Sequence, residues 1–215
     1  MASKSKRVTF LHKPSEKKEN STIGPKVKVR NHCLNALGSS KPMILDVFCA
    51  HGEMWINAYH RTPHYLGLDL KQFDDERRTV VCNNARYLRC DGNLSRFDVF
   101  DLDAYGSPAL QLATICQRIG PLKKPVAVAI TEGCGYAAAM NSLPVGLLAY
   151  LGLKKQRGTS FEKDNRKELI KLLVQRSADA CRAVVKDFMF LETARQGGNS
   201  MIYCGYVMEP RSSKV

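Results

Sequence analysis

Short apolar runs alternate with amphipathic stretches along most of this 215-residue chain. The apolar runs are rich in β-branched and aromatic residues, which is typical of strands. We predict five strands, over residues 43–48, 64–70, 79–82, 97–102 and 125–131. We predict helices over residues 27–37, 52–59 and 108–119. This alternation indicates an α/β fold built on a mostly parallel sheet.

The last third of the chain departs from the alternation. Residues 166–187 form the clearest predicted helix, because apolar side chains recur there at helical spacing. Its predicted apolar face consists of Leu169, Leu173, Ala180 and Val184. Two strands are predicted over residues 188–193 and 200–208, and the Gly197-Gly198-Asn199 segment between them favours an antiparallel hairpin.

Positive charge is concentrated near the start of the chain. The net charge is +13, and residues 1–41 hold ten Lys and Arg against two Glu, which gives +8 of it. We interpret residues 1–26 as a flexible basic arm and residues 27–215 as one folded domain. Such an arm suits a polyanion, with nucleic acid ahead of an acidic membrane surface, or is simply solvated. The candidate nucleic-acid-binding residues are basic side chains of the arm and of a later polar stretch: Lys4, Lys6, Arg7, Lys154, Lys155 and Arg157.

Hydropathy and cysteine usage restrict the class of protein further. No apolar run reaches the roughly 18 residues of a membrane span, and the N-terminus lacks the apolar core of a signal peptide. We therefore predict a cytoplasmic protein without a membrane partner. The eight cysteines are scattered and include no CxxC pair, which predicts reduced thiols and no metal site.

The turn after the first predicted strand contains one glycine, Gly52, in the segment that begins at Asp46. A dinucleotide-binding turn uses three glycines to approach a pyrophosphate, so NAD and FAD are disfavoured. No GxxxxGK[ST] motif occurs, which excludes a P-loop. A phosphate-free adenosine ligand, such as S-adenosylmethionine, tolerates a looser turn.

Polar side chains also follow the second and third predicted strands. Asp69 lies 17 residues after Gly52 (69 − 52), where a carboxylate can accept hydrogen bonds from ribose hydroxyls. Asn83 and Asn84 follow the third strand. An amide can bind an adenine edge or cap the next helix, and we favour Asn84 for the ligand contact.

The fourth predicted strand ends in a carboxylate and an aromatic ring, Asp103 and Tyr105, within FDVFDLDAYGSP. Ligands of open α/β sheets bind at the carboxyl ends of the strands. Ser107 and Pro108 predict a helix start, with serine as the N-cap and proline in the first helical position. The segment therefore predicts a ligand-binding edge.

Four segments, ILDVFCAHGE, YLGLDL, CNNARYL and FDVFDLDAYGSP, resemble the nucleoside-binding and catalytic motifs of class I S-adenosylmethionine-dependent methyltransferases. The DAYG segment is most similar to the Asp-Pro-aromatic-Gly motif of the tRNA guanine-N2 dimethyltransferase family, which VAVAITEGCG also resembles. The resemblance covers about residues 42–140 and the catalytic domain only. It implies a Rossmann-like class I sheet, mostly parallel with a C-terminal antiparallel hairpin.

The resemblance also implies site residues. The catalytic residues that it implies are Asp103, Ala104, Tyr105 and Gly106. The residues that it implies for S-adenosylmethionine are Asp46, Phe48, Cys49, Ala50, Gly52, Asp69, Leu70, Asn84, Ala85 and Asp103.

Methyl transfer to an exocyclic amine of a nucleic-acid base is the implied reaction, most closely guanine N2 in tRNA or another RNA. Asp103 and the carbonyl of Ala104 would accept the N–H bonds of the amine, while Tyr105 clamps the base. Ala104 stands where the family has proline. A DNA base or a protein as acceptor, and a nucleic-acid-binding module that keeps the cofactor without catalysis, remain open alternatives.

Overall fold

A computed structural model describes residues 23–90, 93–133, 144–153, 166–194 and 200–212. The described helices are α1 (Ile23–Leu37), α2 (Asn84–Cys90), α3 (Ala109–Ile119), α4 (Val145–Leu151) and α5 (Arg166–Ala180), with a π-helix at Trp55–Tyr59 and a 3₁₀ turn at Leu94–Arg96. The strands are β1 (Met43–Asp46), β2 (His64–Asp69), β3 (Thr79–Val81), β4 (Val99–Asp103), β5 (Val126–Glu132), β6 (Ala183–Ala194) and β7 (Ser200–Pro210).

The described strands form one seven-stranded sheet in the order β3-β2-β1-β4-β5-β7-β6. Strands β1 to β5 pair in parallel, whereas β7 pairs antiparallel with both β5 and β6. The mostly parallel sheet with an antiparallel C-terminal end is therefore confirmed. The residues predicted to form the hairpin turn lie outside the described residues.

Helices cover both faces of the sheet, as the continuous apolar strands predicted. Helices α2, α3, α4 and α5 pack against one face of the sheet in one hydrophobic core. Helix α1 and the π-helix pack against the other face in a second core. Helix α1 crosses β7 closely, because a Cβ at Gly205 would lie 2.7 Å from Cys33 Sγ. The first turn of α1 lies at the carboxyl end of β4, where Lys26 contacts Asp103.

The end of the long C-terminal helix was wrongly predicted. Helix α5 ends at Ala180, and β6 begins at Ala183 rather than at residue 188. Arg182 has φ +48°, a left-handed conformation that stops the helix. Val184, predicted on the apolar helix face, is 48% exposed in a strand.

Helix α1 begins at Ile23, so residues 23–26, which we assigned to the basic arm, belong to this helix. Pro25 lies in its first turn, where the missing N–H has no helical partner to lose. The rest of the predicted arm lies outside the described residues. None of the described helices is long and apolar enough to span a bilayer.

Candidate active site

Four carboxylates end adjacent strands at one edge of the sheet: Asp46 on β1, Asp69 on β2, Asp103 on β4 and Glu132 on β5. They lie at the same edge because the four strands run parallel. Ligands of open α/β sheets bind at this edge. The sequence predicted three of the four, and Glu132 was missed.

Asp69 is oriented by two backbone donors. Ala50 N donates to Oδ2 at 3.2 Å, and Lys71 N donates to Oδ1 at 2.9 Å. The turn after β1 also bonds to β2 directly, since Cys49 N donates to the Leu68 carbonyl at 3.1 Å. A carboxylate oxygen has lone pairs beyond one such bond, so Asp69 retains acceptor capacity for ribose hydroxyls.

Asp46 accepts hydrogen bonds at the start of the turn that follows β1. Its carboxylate is 1% exposed and accepts from Tyr65 Oη at 2.8 Å and from Phe48 N at 3.2 Å. Burial, with the charge of Asp101 in addition, raises the pKa of Asp46 to about 8. The contacts of Asp46 in this structure are thus with its own turn and with β2.

The two asparagines after β3 have different partners. Asn83 caps α2, because its Oδ1 accepts from Arg86 N at 3.0 Å. Asn84 Nδ2 donates to the Val47 carbonyl at 3.2 Å, which ties α2 to the β1 turn. Beside them Leu70 is 71% exposed and Val81 is 52% exposed, at the ends of paired strands. These two side chains present apolar surface next to Asp69.

Asp103 forms an ion pair with Lys26 of α1, whose Nζ lies 2.8 Å from Oδ2. Arg30 Nη2 lies 3.9 Å from the other oxygen. Burial by itself raises the pKa of Asp103, but the charges of Arg30 and Lys26 outweigh it and hold that pKa below its usual range. Asp103 therefore remains anionic at neutral pH.

A second, fully buried ion pair lies next to the first. Arg30 donates to both oxygens of Asp101, from Nε at 2.9 Å and from Nη2 at 2.6 Å, and neither side chain is exposed. Tyr59 Oη, from the π-helix, donates to the same carboxylate at 2.8 Å. Bidentate pairs of this kind fix geometry as well as charge. Helix α1 is thereby held in place against β4.

The segment after β4 is fastened to the end of β5. Ser107 Oγ donates to Glu132 Oε2 at 2.8 Å, and Gly133 N donates to the Gly106 carbonyl at 3.1 Å. Ser107 Oγ also accepts from Ala109 N at 3.4 Å, but the predicted helix start was wrong by one residue, because α3 begins at Ala109 with Pro108 rather than Ser107 as its N-cap. Ala104 is buried, whereas Tyr105 is 79% exposed. The ring of Tyr105 therefore lies at the surface, two residues after Asp103.

The seven-stranded, mostly parallel sheet is a Rossmann-like α/β fold, and solved methyltransferase structures align with it. Trm1 from Pyrococcus horikoshii, solved with S-adenosyl-L-methionine, aligns with a TM-score of 0.53 and 16% identity, over 87% of this chain and 55% of that chain. A candidate hemolysin from Lactococcus lactis aligns with a TM-score of 0.54 and 17% identity, over 89% of both chains. The chain matches no known family profile and no curated protein sequence. At these identities the likeness shows the fold alone.

The structure brings together most of the residues predicted for the site, since the β1 turn, Asp69, Asn84 and the segment after β4 meet at one edge. The predicted basic residues near positions 4–7 and 154–157 lie outside the described residues. Lys26 and Arg30 were missed, because no local motif marks them and only the packing of α1 places them beside Asp103. Among the described residues, no group of three or more His, Cys, Asp or Glu side chains is placed to hold a metal ion.

Proposed function

We propose that this protein is an S-adenosylmethionine-dependent methyltransferase that acts on an exocyclic amine of a nucleic-acid base. The observation that carries the proposal is an anionic Asp103 beside an exposed Tyr105, at the sheet edge that also holds Asp69. In this proposal Asp69 binds the ribose of the cofactor and Asp103 binds the substrate amine, at the same edge of the sheet.

The residues at this edge fit S-adenosylmethionine. Asp69 offers oriented acceptors for ribose hydroxyls, and Leu70 and Val81 offer apolar surface for an adenine ring. Asn84 and Ala85 begin α2 next to this surface. The bound cofactor would supply an electrophilic methyl group on its sulfonium.

The protein's own groups then orient the acceptor. An exocyclic amine is a weak nucleophile because its lone pair is delocalised into the ring. Asp103 would accept a hydrogen bond from one N–H of the amine and the Ala104 carbonyl would accept one from the other, which localises the lone pair on nitrogen. As the new N–C bond forms and the bond from the methyl group to sulfur breaks, the amine loses one proton, which Asp103 would accept and pass to solvent. Tyr105 stacks on the base. Positioning of this kind supplies most of the rate gain, and a base within a duplex must first be flipped out.

Guanine N2 in tRNA or another RNA is the proposed substrate, ahead of DNA, and the proposal rests on the DAYG segment and on the basic arm. We also propose a cytoplasmic location, which the scattered positions of the eight cysteines favour. One alternative has specific support: the pairing of Asp103 with Lys26 also suits a module that binds cofactor and nucleic acid without catalysis.

Incubation with methyl-labelled S-adenosylmethionine and separate pools of tRNA, DNA and protein tests the proposal. We expect label in tRNA, recovered as N2-methylguanine after nuclease digestion. Label in DNA or protein would change the substrate class. Cofactor and RNA binding without transfer would establish the non-catalytic module.

A further inference from the structure

A buried guanidinium group contacts the turn that follows β1. Arg77 belongs to the connection between β2 and β3, yet it is only 6% exposed. Its Nη1 donates to the Cys49 carbonyl and its Nη2 to the Ala50 carbonyl, each at 3.0 Å. The planar guanidinium thus binds two consecutive carbonyls of the turn through two separate nitrogen atoms.

The connection that carries Arg77 also fixes the rest of the group. Asp75 accepts from Arg77 Nε at 2.9 Å and pairs with Nη2. Cζ lies 5.3 Å from the centre of the Phe73 ring, and that ring meets His51 of the turn edge-on at 5.1 Å. Residues 73–77 therefore present the guanidinium in one orientation.

The single glycine of the turn makes room for this group. Gly52 has φ +81°, and a Cβ there would lie 2.7 Å from Arg77 Cζ. Ala50 has φ +39°, a left-handed conformation that persists only where the surroundings enforce it. The conformation of the turn thus leaves space for the guanidinium of Arg77.

We propose that Arg77 is a positioning residue of the cofactor site. Both polar backbone groups of Ala50 are hydrogen-bonded. Its carbonyl accepts from Arg77 Nη2, and its N–H donates to Asp69 Oδ2 at 3.2 Å. Arg77 therefore holds the turn, and the turn holds Asp69. The role of Asp69 toward ribose rests on the proposed function, whereas the hydrogen bonds from Arg77 to the turn do not depend on it.

Arg77→Ala, with Arg78→Ala as the matched control, tests the inference. Arg78 is the neighbouring arginine, and its side chain is exposed. Amide hydrogen exchange reports on the turn without any ligand, because Cys49 N, Ala50 N and Gly52 N are all hydrogen-bonded. We expect Arg77→Ala to speed exchange of residues 49–52 at least tenfold and to weaken S-adenosylmethionine binding at least tenfold by calorimetry. We expect Arg78→Ala to change neither.

Arg77→Lys separates charge from geometry, since it keeps the charge and loses the two-nitrogen fork. We expect it to weaken binding in the same direction as Arg77→Ala. Unchanged exchange in residues 49–52, or unchanged cofactor affinity in both variants, would overturn the inference. So would an equal loss of protection in α5 and β7, which would show a general folding role. If the wild-type protein does not bind S-adenosylmethionine, the proposed function fails, and the exchange comparison still decides whether Arg77 braces the turn.

Discussion

Asp103→Asn should destabilise the protein as well as impair methyl transfer. The substitution keeps the size of the side chain and removes the charge that lies 2.8 Å from Lys26 Nζ. The Lys26 side chain is 6% exposed, so solvent compensates little for the lost carboxylate.

The expected cost follows from the burial of this pair. Removing one partner of a buried ion pair costs about 3–5 kcal/mol. The lower end applies here, because Asp103 is 14% exposed and an amide oxygen can still accept from lysine. A cost of about 3 kcal/mol lowers the thermal midpoint of a chain of this length by about 6–12 °C.

A double-mutant cycle with Lys26→Met measures the pair itself. Denaturant unfolding of the wild type, both single variants and the double variant should give a coupling free energy well above about 0.5 kcal/mol, the scatter of independent sites. Glu168→Gln is a matched control, because its partner Lys171 lies at a similar 2.8 Å but both side chains are about half exposed or more. We expect that control to change stability by less than about 1 kcal/mol. Additive effects of the Lys26 and Asp103 substitutions would refute the reasoning.

Four further predictions follow from the same edge of the sheet. Asp69→Ala should weaken S-adenosylmethionine affinity at least tenfold by calorimetry, since bonds to a charged group contribute about 1.5–3 kcal/mol. It should also lower apo thermal stability, because Ala50 N and Lys71 N lose their acceptor. Equal cofactor affinity would remove Asp69 from the site. Tyr105→Ala should weaken substrate binding by about 1–3 kcal/mol, the range for base stacking. An unchanged affinity in a titration with tRNA would contradict this. Deletion of residues 1–20 should flatten the dependence of log affinity on log salt, and an unchanged slope would exclude phosphate contacts by the arm. Between about pH 4 and pH 8 the folded protein keeps a proton on Asp46 that the unfolded chain loses, so this group's contribution to stability falls as pH rises through that window. The side chain in the Asp46→Asn variant cannot titrate. As pH rises through that window, the free energy of unfolding of the variant minus that of the wild type should therefore increase by up to about 1.4 kcal/mol per pH unit. A difference that does not change with pH would refute the raised pKa.

Local sequence patterns predicted the parallel part of the sheet well. Strands β1, β2, β4 and β5 are mostly apolar runs that end in a carboxylate. Such continuous apolar runs are typical of parallel strands that are covered on both faces. The end of α5 was harder to predict, because Cys181, Ala183 and Val185 continue an apolar pattern that suits either a helix or a strand. The left-handed Arg182 that separates the two elements has no signature in its residue type.

The residues that hold the site could not be predicted from motifs. Lys26 and Asp103 are far apart in sequence, and their contact depends on where α1 crosses the sheet. Arg77 lies in an irregular connection between two strands, where nothing local distinguishes it from Arg78. Long-range charge pairing of this kind is a property of the tertiary structure.

The position of β7 bears on how the protein is made. This strand comes after β6 along the chain but lies between β5 and β6 in the sheet. During synthesis on a ribosome, β5 therefore keeps an open edge and β6 has no strand to join until residues 200–210 emerge. Helix α1 also packs against β7, at Gly205, so this part of its packing forms only then. A message that stopped before codon 200 would yield a chain with every predicted cofactor and catalytic residue but without the strand that pairs with β5 and contacts α1, and the unpaired edge of β5 would expose it to proteolysis and aggregation.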